Sequence, residues 1–108
     1  MASLQRIEKL KSFLASDPTD SFTQYALALE YHGINESQRA IDTLLELIAR
    51  DGTYIPAYQQ LGQIYAVSDA PDKAKEMFHR GIACASEQGD EHARNEMQEA
   101  LDELEDEC

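Results

Sequence analysis

The sequence predicts an all-α chain built from a tandem helical repeat, and three observations carry that expectation. Sliding the chain by 34 residues lays Leu27 on Leu61, Ala28 on Gly62, Tyr31 on Tyr65, Ala40 on Ala74, Leu44 on Phe78 and Ile48 on Ile82. Apolar residues recur at three- and four-residue intervals with almost no strand-like alternation, the spacing that lines one side of a helix. Gly, Pro, Asn and Asp fall at intervals that cut the 108 residues into six helical pieces.

The first piece, from about Ala2 to Ser16, carries Leu4, Ile7, Leu10, Phe13 and Leu14 on a broad stripe. It stops before Asp17-Pro18 because proline disfavours helix in the residue ahead of it. Asp20 is suited to cap the second helix and Gly33 to end it in a left-handed conformation. Asn35 or Ser37 is the expected cap of the third, which turns Ala40, Ile41, Leu44, Leu45, Leu47 and Ile48 toward its neighbours and closes at Asp51-Gly52. The fourth runs from Ile55 to Val67, with Pro56 in the first turn, where its missing amide hydrogen costs nothing. The fifth opens near Asp69-Ala70-Pro71, uses Ala74, Phe78, Ile82 and Ala85 for contacts and ends near Gly89. Asp90 then caps a sixth, roughly Glu91 to Leu104, with Ala93, Met97, Ala100, Leu101 and Leu104 on one narrow stripe; Glu105 to Cys108 is expected to fray.

Formal net charge is -12 and the pI is near 4.4, which argues against nucleic acid and anionic membrane surfaces as partners. Residues 87–108 hold ten of the 21 carboxylates against Arg94 alone, so about -9 of the -12 lies there. That acidity suits either a solvating cap or a docking site for a basic partner. The acidic, Lys-poor composition also suits a saline environment. Two cysteines, Cys84 and Cys108, make no disulfide framework and fit free thiols in a reducing compartment. No apolar signal region or run of 18 apolar residues is present, so the reading is cytoplasmic.

The repeated residues resemble the tetratricopeptide repeat, whose pattern is W-x2-L-G-x2-Y, then A-x3-F, then P. In the better copy Tyr58 stands for the large aromatic, Leu61, Gly62 and Tyr65 follow in register, and Ala74 and Phe78 supply the second helix, with Ser86 in place of proline. The other copy has Gln24 in the aromatic's place, then Leu27, Ala28, Tyr31, Ala40 and Leu44, with Gly52 in place of proline. Leu10, Phe13 and Pro18 fit the second half of a third copy, although Arg6 replaces its small residue. The resemblance covers residues 5 to 87. It implies a single domain over 1–108: an orphan second helix of a partial repeat (2–18), repeats at 21–54 and 55–88, and an amphipathic acidic capping helix (90–105). The implied fold is a right-handed superhelical stack of antiparallel helix pairs, an alpha-alpha superhelix whose pairs cross through Ala28, Gly62, Ala40 and Ala74.

The same resemblance implies a non-catalytic protein-binding module that grips a peptide or partner protein on the concave side of its first helices. Carried over by alignment, the candidates are Phe22, Tyr25, Leu29 and His32, then Gln59, Gln63 and Ala66. Tyr25, Gln59 and Gln63 offer hydrogen bonds to a peptide backbone. Phe22 and Leu29 offer apolar contact, or else belong to the core. A family branch that clamps peptide carboxylates uses Lys, Arg and Asn here, and those cations are missing. Glu76 and His79 have metal-ligand spacing with His92 as a third donor, but no second such pair accompanies them. With no phosphate loop, metalloprotease helix or nucleophile elbow, the expectation is no enzyme, metal or cofactor. The alternative is a self-associating subunit, a homodimer through the wide stripe of the first helix.

Overall fold

A computed structural model describes residues 4–106, which form six α-helices: α1 Leu4–Ser16, α2 Ser21–Gly33, α3 Ser37–Arg50, α4 Ile55–Val67, α5 Pro71–Gln88 and α6 Glu91–Asp106. The expected start at Ala2 and the Cys108 thiol lie outside the described residues. Contacts divide the chain into two compact units, with the boundary between Tyr54 and Ile55.

In the first unit α1 packs on α2 and α2 on α3. The α2–α3 pair is antiparallel, because the end of α3 meets the start of α2. Arg50 donates to the Thr19 carbonyl at 3.0 Å, the Ser21 hydroxyl at 3.3 Å and Gln24 Oε1 at 2.8 Å, while the Ser21 hydroxyl donates to Asp51 at 2.7 Å. Gln24 also donates to the Thr43 carbonyl at 3.3 Å. Hydrogen bonds thus do at Gln24 what aromatic packing does at the matching Tyr58, which is buried. Ile7, Leu27, Ala28, Tyr31, Ala40, Ile41, Leu44, Leu47 and Ile48 are buried, whereas Leu45 is 36% exposed. Arg6, which departs from the small residue of the repeat, pairs with the carboxylate of buried Glu30 at 2.8 Å.

In the second unit α5 packs against both α4 and α6. The close approach of α4 and α5 rests on Gly62, where a Cβ would fall 2.5 Å from Phe78 Cε1. Gly81 does the same on α5, where a Cβ would collide with the Met97 sulfur and lie 2.8 Å from Tyr58 Cβ. Met77 and Gly81 are buried along with the expected Ala74, Phe78 and Ala85, and Ile82 is only half-buried. On α6 the buried stripe is Ala93, Met97 and Leu101, flanked by half-buried Ala100 and Leu104. The helix continues through Glu105 and Asp106, past its expected end at Leu104.

Several termini differ from the sequence expectation. Gly33 lies inside α2, and the left-handed residue is Asn35, at φ 65°. Asn35 therefore does not cap α3. Ser37 does not either, since α3 follows Glu36 without a side-chain cap bond. Asp69, expected at the opening of α5, has φ 59° and ends α4 in the same way. In both turns the amide five residues on donates to a tyrosine carbonyl, Glu36 to Tyr31 and Ala70 to Tyr65, each at 2.9 Å. Asp90 donates likewise to Ala85 at 2.9 Å, around left-handed Gly89 at φ 74°. All three helices end in a Schellman turn, which satisfies carbonyls the helix leaves open. The expected caps Asp20 and Asp90 do accept from the amides of Thr23 (3.4 Å) and Ala93 (3.1 Å).

Candidate functional site

The Asp20 cap fixes where α2 begins and hence which side chains share a side of it. The Thr23 hydroxyl and amide both donate to Asp20 and hold its carboxyl below the usual range. From that start, Phe22, Tyr25, Leu29 and His32 fall within about 80° of the helix circumference, at 100° per residue. Phe22 is 70% exposed and Leu29 38%, so neither is a core residue. Tyr25 and His32 between them are half-buried. The Tyr25 ring rests against Tyr54 at 5.7 Å between centroids, tilted by 54°. Burial raises the pKa of both phenols, and for Tyr54 the nearby Tyr25, Asp20 and Asp51 add to the rise. Both hydroxyls therefore remain protonated at neutral pH and can donate. His32 Nδ1 is buried without a hydrogen-bond partner.

The second unit presents its own candidate side on α4, where Gln59, Gln63 and Ala66 lie along one stripe. Gln59 donates to Glu96 of α6 at 3.4 Å. Gln63 is exposed and Ala66 half-buried, and both line a groove of about 420 Å³. Val67 completes its α4 wall, Phe78 contributes from α5, and Ala100, Glu103 and Leu104 form the α6 wall. Its size lies in the range of ligand pockets. The sequence marked the acid of the sixth helix, Glu103 included, as a docking candidate for a basic partner, but it missed Val67 and the apolar Ala100 and Leu104 as functional candidates. Ala100 and Leu104 carried a signal, an apolar stripe on a helix otherwise rich in acid, but that stripe also serves packing.

The residues with metal-ligand spacing and the Cys84 thiol have the following surroundings. Glu76 lies 3.9 Å from Arg80, His92 lies 3.4 Å from Glu96, and His79 is exposed. Among the described residues no three His, Cys, Asp or Glu side chains gather as a metal site. Cys84 is half-buried and accepts from Gln88 at 3.3 Å. No described helix is long and apolar enough to cross a membrane.

Paired helices crossing through small residues, with polar and apolar side chains left open on the first helix of each pair, define a helical-repeat scaffold. The chain belongs to the tetratricopeptide repeat family, whose model matches residues 1–80. It is 25% identical over 91 residues to a TPR repeat-containing protein of Pseudomonas aeruginosa, an alignment spanning 84% of this chain and 87% of that one. Among solved structures it is similar to a tetratricopeptide repeat domain protein from Salinibacter ruber, at 36% identity and a TM-score of 0.79, over 82% of this chain and 90% of that one. A protein of Bordetella parapertussis shares the fold, with a TM-score of 0.82 and 24% identity over 99% and 91% of the two chains. Proteins of this family generally act as non-catalytic modules of protein–protein interaction.

Proposed function

We propose that the chain is a non-catalytic binding module that holds a peptide or partner protein against the first helix of each repeat. The observation that carries this reading is the side of α2 on which Phe22 and Leu29 stand exposed around Tyr25. Large apolar side chains left in water at helical spacing provide contact area, and a protonated phenol between them supplies a directional hydrogen bond. On α4, Gln63 supplies an amide able to donate to and accept from peptide backbone. Neither side carries Lys or Arg, so the capture of a terminal carboxylate lacks its cations here.

The test is selection of binding peptides from an unbiased library, followed by titration of the best against Tyr25→Ala and Gln63→Ala. Each substitution is expected to weaken binding by about tenfold, the loss of roughly 1 to 1.5 kcal/mol of contact. Unchanged affinity in both would remove these sides from the site. Self-association is a second reading, favoured by the exposure of Leu4 (71%) and Phe13 (58%) on α1. Sedimentation showing a monomer at high concentration would end it.

A further inference from the structure

We infer that the groove between α4 and α6 takes a cationic peptide that inserts one bulky aliphatic side chain; the inference rests on the binding-module reading and names the class of partner. Two features set that chemistry. The first is an apolar seat: Ala66 of α4 and Ala100 of α6 both line the groove, buried Phe78 contributes from α5, and Val67 is 79% exposed. Two alanines where larger residues would close the gap leave room for a side chain of leucine size.

The second feature is charge of a single sign. Helix α4 has no charged residue, and no basic side chain lines the groove. Glu103 borders it directly, and Glu96, one heptad earlier on α6, receives the bond from Gln59 at its other end. Glu99 precedes Glu103 by one helical turn. The only arginine of α6, Arg94, lines a separate 270 Å³ hollow beside Ser86 and Gly89. On α5 the Lys73 and Arg80 cations lie over the rings of Tyr65 and Tyr58, and Lys75 does not line the groove. An acidic ligand would meet a carboxylate and no cation in the groove's lining, whereas Lys or Arg beside an aliphatic anchor finds Glu103 there.

The experiment uses a labelled amphipathic peptide of leucine, alanine and lysine, about 15 residues or four helical turns long. Two counterparts accompany it, one with every lysine changed to glutamate and one with every leucine changed to serine. Fluorescence anisotropy with the full chain is expected to show binding of the first peptide and at least about tenfold weaker binding of each counterpart. Raising salt from about 0.05 M to about 0.5 M is expected to weaken the first peptide by a similar factor. Glu103→Lys should weaken it about tenfold, and Ala100→Gln, which fills the seat, should do the same. Val67→Ser, at an exposed rim position that leaves the core intact, should weaken it about threefold and guards against misfolding of the Ala100 variant. Equal binding of the glutamate peptide overturns the inference, as does indifference to both Ala100→Gln and Val67→Ser. Sedimentation showing that a second copy of the chain occupies the groove and excludes the peptide also overturns it. Library peptides that depend on Tyr25 yet ignore the groove would sink this inference and leave the binding-module reading standing.

Discussion

Replacing Gly62 by alanine sets two opposing effects against each other, and their sizes follow from the helix crossing. An exposed helix would gain about 1 kcal/mol from Gly→Ala. Here the new Cβ would fall 2.5, 2.6 and 2.8 Å from Cε1, Cζ and Cδ1 of Phe78. Those atoms belong to a ring that is 1% exposed and held among the core of α4, α5 and α6, so it cannot swing clear without moving its surroundings. Overpacking of this kind costs about 1 to 3 kcal/mol. The net change for Gly62→Ala is thus a destabilisation of up to about 2 kcal/mol, and Gly62→Leu, with three further carbons, should cost at least about 3. In a background of Phe78→Leu the clash is relieved, and Gly62→Ala is expected to become stabilising by up to about 1 kcal/mol. Urea unfolding followed by far-UV circular dichroism measures all four species of the cycle. A Gly62→Ala effect that is the same in both backgrounds, or stabilising in both, would refute the crossing through Gly62.

Three further outcomes follow from the same geometry. Arg6→Ala strands the buried Glu30 carboxylate without its 2.8 Å partner; because Arg6 is itself largely exposed, the loss is expected near about 1 to 2 kcal/mol, and thermal melts of Arg6→Ala, Glu30→Gln and the double variant should show coupling between the sites. Asp69→Gly relieves a left-handed residue and should stabilise by about 0.5 to 1 kcal/mol, while Gly89→Ala imposes the same strain and should destabilise by about 1; since a Cβ at Gly89 would touch nothing within 4 Å, a neutral melt would contradict the backbone argument. Bonds from Thr23 hold Asp20, and bonds from Ser21 and Thr53 hold Asp51, below the ordinary carboxylate value. Their stabilisation is present above that value, about pH 4, and is lost as pH falls through the lowered folded value. Asp20→Asn with Asp51→Asn should therefore flatten the acid limb of the stability profile, and an unchanged limb would count against these bonds.

The helices and their crossings were legible because one signal, the 34-residue period, fixes both which residues pair and which must be small. Ala28, Gly62, Ala40 and Ala74 are all buried as that period requires. Helix ends were less legible, because a glycine draws attention wherever it falls. Gly33 is helical, and the turn belongs to Asn35, two residues later. The period held the answer, since it lays Asn35 on Asp69, and Asn and Asp are the non-glycine residues that tolerate left-handed backbone most readily. The Arg6–Glu30 pair was hidden for another reason: a buried carboxylate at the tail of α2 is decided by which cation a neighbouring helix brings to it.

The candidate side of α2 could be named from the repeat, but whether Phe22 and Leu29 were core or surface depended on what covers them, which periodicity does not encode. Their exposure settles that choice. The groove beside α4 was illegible for a related reason. It is lined by two small residues, Ala66 and Ala100, on helices separated by more than 30 residues of chain. Nothing in a single-residue reading marks two alanines as an absence of volume.

The measurement that bears most directly on the account is a nitrogen–proton correlation NMR titration of the labelled chain with a library-selected peptide. The account predicts shift changes gathered at Phe22, Tyr25 and Leu29 on α2 and at Gln59, Gln63 and Ala66 on α4. Changes gathered instead on the second helices, at Asp42 and Glu46 of α3 or Lys75 and His79 of α5, would contradict it.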